Sequence, residues 1–178
     1  MTIQGHLNEY RKKGISAYAV YAEIFVIKMA KLHIVTEGDR VLRLKSRPVT
    51  EVNDRIKTLL DDMTETMREA DGCGLAAPQV GVLRRVVVVE TEPGVVYELI
   101  NPVIVEKSGD QHEVEGCLSV PNKSGYTHRP SYVKVEALDR NGNPVTYEGR
   151  DLLARAFCHE IDHLDGILYI DHAEMIDN

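Results

Sequence analysis

The sequence predicts an α+β fold in which helices stand at either end of a strand-rich middle. Three observations carry this reading. Apolar residues recur at three- and four-residue steps from Val52 to Met67. Short β-branched segments divided by turn residues fill Arg85 to Tyr147. A second helical pattern runs from Asp151 to about Leu164 and contains Cys158-His159-Glu160-Ile161-Asp162-His163.

A chain of 178 residues has the length of one domain with a sizeable core. Its net charge of -7 argues against a nucleic-acid-binding surface. Three widely spaced cysteines do not form a disulfide framework and point to a reducing, cytoplasmic compartment.

Residues 1–28 differ from the rest. Arg11, Lys12 and Lys13 precede an apolar run from Ile15 to Ile27, which superficially copies a signal peptide. Glu23 interrupts the run, no small-residue cleavage site follows, and the run is short for a membrane span. The segment carries four basic and two acidic side chains, net +2, so the remainder carries -9. Met29 can itself serve as a start, and the expectation is an upstream extension over 1–28 followed by a single domain over 29–178. A targeting signal and a structural arm are the alternatives.

The elements follow in order. Lys31 to Val49 reads as short and extended, broken by Gly38-Asp39 and by Pro48, which lacks an amide hydrogen and disfavours helix at Arg47. In the first helix Val52, Ile56, Leu59, Leu60, Met63 and Met67 make the apolar face, with Met63 and Met67 read as core filler. Asp71-Gly72 ends it. The next stretch, Gly72-Cys73-Gly74-Leu75-Ala76-Ala77-Pro78-Gln79, is stripped of bulk, so a ligand or another strand can come close to its backbone. Gln79 offers an amide that can donate to developing negative charge. Taken alone, the stretch serves equally well as a packing turn.

The valine run within Arg85 to Glu90 suits a strand buried on both faces, and Val96 to Ile100 is another strand before Asn101-Pro102. Val103 to Glu106 and Gln111 to Glu115 are expected to be neighbouring strands around Ser108-Gly109-Asp110. Glu115-Gly116-Cys117 places a cysteine at a strand end, where a metal can hold it as thiolate, although a lone cysteine is more often a small buried side chain. Tyr132 to Leu138 and Val145 to Tyr147 form a hairpin about Asn141-Gly142.

On the last helix His159 and His163 lie four residues apart and can point two imidazoles at one metal, a spacing that also arises by chance on surface helices. Glu160, one residue round, can act on a bound water without being a ligand. Cys158 points about 100 degrees away from His159 and is expected in the core. A catalytic metal of the zinc-like type wants three protein ligands and an open position, and Cys117, His159 and His163 supply them. The rival is a helix-borne zinc protease. Its extended motif needs another histidine where Tyr169 stands, and too little chain follows for a further ligand helix.

Gly72-x-Gly74-Leu75-Ala76-Ala77-Pro78-Gln79, Glu115-Gly116-Cys117-Leu118-Ser119 and His159-Glu160-x-Asp162-His163 together resemble the three signature motifs of peptide deformylase, in the family's order and spacing. The likeness runs from about Lys31 to Asp171. It implies an α+β fold whose antiparallel or mixed β-sheets surround a C-terminal metal-binding helix. It also implies a metallohydrolase that takes the formyl group from the formyl-methionine of nascent polypeptides and releases formate. One divalent ion is implied, natively Fe2+, with Zn2+, Ni2+ or Co2+ able to replace it.

By the same resemblance Cys117, His159 and His163 are the ligands and Glu160 is the proton carrier. Gln79 and the backbone amide of Leu118 stabilise the oxyanion, and the backbone of Gly74 pairs with extended substrate. Arg129 and Asp162 are implied as an ion pair bracing the metal helix, in contrast to two independent surface charges. Contact with the ribosome is implied and expected to be transient, with no direct nucleic-acid site and no membrane association. The chain departs from the family in three places. Arg40 follows Gly38-Asp39 where proline is usual, Cys73 replaces an aliphatic residue, and an acidic ending stands where many bacterial members carry a longer, basic, ribosome-docking helix.

Overall fold

A computed structural model describes residues 31–176. The reading of residues 1–28 lies outside the described residues. Helix α1 spans Asp54–Glu69 and begins where Asn53 Oδ1 accepts from the amides of Arg55 and Ile56 at 3.1 and 3.3 Å, satisfying amide groups that a helix start leaves without partners. It ends as Asp71 turns to φ 53° and the Gly72 amide donates to Met67 O at 2.9 Å. The left-handed residue is thus Asp71. Gly72 is needed for another reason, since a Cβ there would stand 2.7 Å from Leu118 Cδ1.

Eight strands make two sheets among the described residues. They are β1 (Gly74–Ala76), β2 (Val86–Glu92), β3 (Val95–Ser108), β4 (Gln111–Cys117), β5 (Val120–Arg129), β6 (Tyr132–Leu138), β7 (Pro144–Arg150) and β8 (Glu174–Met175). The larger sheet has the order β1-β2-β3-β6-β7 and the smaller β4-β5-β8, with every named pairing antiparallel. Helix α2 spans Asp151–Leu164.

The valine run explains the layering. Side chains alternate across a strand. Val87 and Val89 pack in one core with Phe157, Ile161 and Leu164 of α2. Val86 and Val88 pack in another with Leu60, Met63 and Met67 of α1. The larger sheet is therefore covered by a helix on each face. Each of these fully buried valines contributes about 1.5–3 kcal/mol of transfer free energy.

Two expectations are corrected. Val103 to Glu106 and Gln111 to Glu115 are both strands, but they are not neighbours: Val103, Ile104 and Glu106 pair with β6, whereas Gln111 to Glu115 pair with β5. The turn at Gly109, φ 70°, hands the chain from one sheet to the other. β6 brings Val133 and Val135 to the α2 core, while β4 has His112, Glu113 and Val114 exposed and could not replace it there. The segment Lys31 to Val49 is also not wholly extended. A 3-10 turn over Arg40–Arg43 buries Leu42, and Asp39 Oδ1 caps it by accepting from the Val41 amide at 2.9 Å. Asp39 thus orders the turn that Arg40 begins.

Candidate metal centre

The site forms where α2 crosses the end of β4. Helical spacing places His159 and His163 on one buried face, with ring centroids 5.0 Å apart. β4 delivers Cys117, whose Sγ lies 3.3 Å from His163 Nε2. The sulfur and one nitrogen from each ring all lie within 4.8 Å of one another. Cys158 is buried in the α2 core and takes no part, as its helical position predicts.

Buried neighbours orient the donors. His159 Nδ1 donates to Glu115 Oε2 at 2.7 Å, which leaves its Nε2 lone pair for a metal. The Glu115 carboxylate also accepts from Thr127 Oγ1 at 2.7 Å and from Arg129 Nε at 2.8 Å. Arg129 Nη1 reaches Asp162 on α2 at 2.5 Å, so the implied pair of Arg129 and Asp162 exists as one arm of a larger network. Burial works against ionising Glu115, but the hydrogen bonds and charges of His159 and Arg129 outweigh it and hold the carboxyl far below its usual range. Sequence reasoning gave Glu115 no role. The available signal was its place two residues before Cys117, on the same inward face of β4.

The donor set fits a divalent ion of the zinc or ferrous type. Tetrahedral thiolate and imidazole ligands stand roughly 3.5 Å apart, close to the observed Cys117 to His163 separation. Burial pushes His163 well below the ordinary histidine range, toward the neutral form that binds metal. At His159 the same effect is outweighed by hydrogen bonds to Cys117 and Glu115, which raise it. His163 Nδ1 is buried and has no partner among the described residues.

Glu160 is 4% exposed, and its Oε2 also has no partner among the described residues. Burial pushes its carboxyl up to about 7, against the pull of the His159 charge. The carboxylate lies against Gly74: a Cβ there would overlap Oε1 and stand 2.8 Å from Cδ. Gly74 begins β1, which among the described residues is an edge strand of the larger sheet and pairs with β2 on one side only. A 3-10 turn over Ala77–Val80 then presents Gln79, whose Oε1 accepts from the Ala76 amide at 2.7 Å. That tie turns Nε2 toward the centre, 3.5 Å from Cys117 Sγ and 3.2 Å from Ser119 Oγ. Leu118 sits in the turn after Cys117.

These groups line a cleft of about 340 Å³ whose walls include Gly74, Cys117, Leu118, Leu152 and Glu160. Cys73 lines it too, and desolvation with the nearby Glu160 charge pushes its thiol up, away from the thiolate that oxidises readily. The site therefore combines a candidate metal-ligand triad, a buried carboxylate near neutral pKa, an amide donor and a strand edge unpaired among the described residues. That combination suits hydrolysis of an amide in an extended chain.

Residues 31–178 match the sequence profile of a family described as polypeptide deformylase. The peptide deformylase of Acetivibrio thermocellus is 58% identical over 143 residues, covering 80% of this chain and 84% of that protein. The peptide deformylase of Alkaliphilus metalliredigens is likewise 58% identical over 143 residues, covering 80% and 97%. Among solved structures, a peptide deformylase from Legionella pneumophila superposes with a TM-score of 0.79 at 39% identity, covering 82% of this chain and 87% of its own. One from Ehrlichia chaffeensis in complex with actinonin gives 0.79 at 41% identity, covering 82% and 90%.

Proposed function

This chain belongs to the polypeptide deformylase family, metal-dependent hydrolases that remove the formyl group from nascent peptides, and we propose that Cys117, His159 and His163 hold its metal while Glu160 carries the proton. A divalent ion held there supplies Lewis acidity that lets water attack near neutral pH. Fe2+ is the native ion in this reading, carried over from the family resemblance, and the set of one thiolate and two imidazoles also accepts Zn2+, Ni2+ or Co2+.

The chain's own groups account for the remaining steps. Glu160 takes a proton from the attacking water and returns it to the leaving amine, a task suited to a carboxyl pushed up to about 7. Gln79 Nε2 and the backbone amide of Leu118 donate to the oxyanion. The outer edge of β1 at Gly74 pairs with the backbone of the formyl-methionyl peptide, which adds as a strand. No described helix is long and apolar enough to cross a membrane. Catalysis in the cytoplasm, with transient contact to the ribosome from which formylated chains emerge, completes the reading.

The observation that carries it is a buried Glu160 carboxylate, its Oε2 without a partner among the described residues, beside the converging Cys117, His159 and His163. The test is formate release from a formyl-methionyl peptide by protein prepared without oxygen and loaded with iron or nickel. Release by the parent and a loss of about 10²–10⁴-fold in Glu160→Ala at equal metal content is expected. A variant that keeps the parent rate overturns the role of Glu160, and a folded, metal-loaded parent that releases no formate overturns the whole reading.

A further inference from the structure

The three-stranded sheet has a second face, turned away from Glu115, Thr127 and Arg129. His112 of β4 and His128 of β5 are direct cross-strand partners, and on the neighbouring pair Tyr126 of β5 opposes Glu174 of β8. Because side chains alternate along a strand, Tyr126 and His128 share a face, and three strands bring polar groups to one place. The rings of His112 and His128 stack with centroids 4.4 Å apart and planes 10° from parallel. One ring nitrogen from each, and a carboxylate oxygen of Glu174, lie within 4.8 Å of one another, and all three side chains are exposed.

Direct bonding does not account for the cluster. His112 Nε2 and Glu174 Oε2 are 3.8 Å apart, beyond hydrogen-bond range. A bound ion lies in the plane of each imidazole that holds it, so His112 and His128 must rotate out of their near-parallel stack to aim at one zinc, a movement open to exposed side chains. The donors must then close to the roughly 3.4 Å spacing of imidazole and carboxylate ligands around a tetrahedral zinc. Asp110 supplies an orienting carboxylate, with Oδ2 3.2 Å from His128 Nδ1. A proton held on Nδ1 by that contact leaves the Nε2 lone pair free, the arrangement by which carboxylates prepare metal-binding histidines.

We propose that His112, His128 and Glu174 form a second, surface site for a divalent transition metal of the zinc type, separate from the Cys117 centre. Occupied, it ties β8 to the β4–β5 hairpin. β8 otherwise pairs with that hairpin at Gly125 and Tyr126, followed by the Ile176 amide donating to Ser124 O at 2.9 Å. The ion at this site is structural and stabilises the sheet that carries Cys117 on β4.

The test starts from enzyme already carrying one equivalent of zinc, titrated with further zinc sulfate near neutral pH by calorimetry. The parent is expected to bind one more equivalent and to melt at a higher temperature in its presence. His112→Ala and His128→Ala are each expected to lose that equivalent and the thermal shift, and Asp110→Asn to bind about tenfold more weakly. All three should keep the first equivalent and the parent rate of formate release. A parent that takes up no second zinc at submillimolar concentration overturns the proposal, as does uptake that both histidine variants retain.

Discussion

Glu115 and His159 share a 2.7 Å hydrogen bond across the junction of β4 and α2, and the same carboxylate binds Arg129. The pair fixes which nitrogen of His159 faces the cleft. Glu115→Ala should weaken metal binding about 10–100-fold by chelator competition, because the ring loses both its tautomer and its orientation. Parent-like retention would show that helix packing alone sets the ring.

Arg129 joins Glu115 on β4 to Asp162 on α2, with both its own side chain and that of Glu115 buried. Arg129→Ala leaves the buried Glu115 carboxylate without its cation, with the Thr127 and His159 bonds remaining, a change that costs about 3 kcal/mol and lowers the melting temperature by about 10 °C. Metal retention should fall with it. Unchanged metal content and melting temperature would remove Arg129 as a brace.

Gly74→Ala places a methyl group on the Glu160 carboxylate. Displacing a proton-transfer group by about 1 Å is enough for a loss of about 100-fold, so formate release should fall while the Cys117 centre still binds metal. Turnover close to the parent rate would mean that Glu160 can move aside without cost.

Glu98 provides a pH test remote from the metal. Burial raises its carboxyl above the ordinary value, against the nearby Arg140 charge 3.5 Å away. A carboxyl raised in the folded state favours folding as pH falls through that raised value toward the ordinary one. Above that raised value it is ionised in both states, and burying the charge opposes folding. Glu98→Gln should therefore melt higher than the parent at neutral pH, with the advantage vanishing once pH drops below the ordinary carboxylate range. A variant that melts lower at neutral pH would show that the Arg140 pair outweighs burial.

Local pattern made much of this molecule readable. The helix from Asp151 to Leu164 has the bounds its sequence pattern predicts, and His159 and His163 converge because their spacing matches the helical repeat. Partner choice among strands was hidden, since pairing depends on which surfaces are free elsewhere. Nothing near Val103 says that its partner lies beyond the β4–β5 hairpin. β5 escaped notice because Pro121 to Ser124 lack apolar alternation, and β1 because three residues are too few to show a period. Glu115 went unassigned for a related reason: its role depends on His159, 44 positions away.

Cys117 comes from the smaller sheet, whereas His159 and His163 ride on a helix seated against the larger one. A molecule whose sheets have not met owns both imidazoles and the thiol, yet cannot bring them to one ion. Metal retention is thereby a certificate of correct assembly. On the proposed ligand set, the fraction of chains holding tightly bound metal at the Cys117 centre sets a lower bound on those in which the two sheets have met.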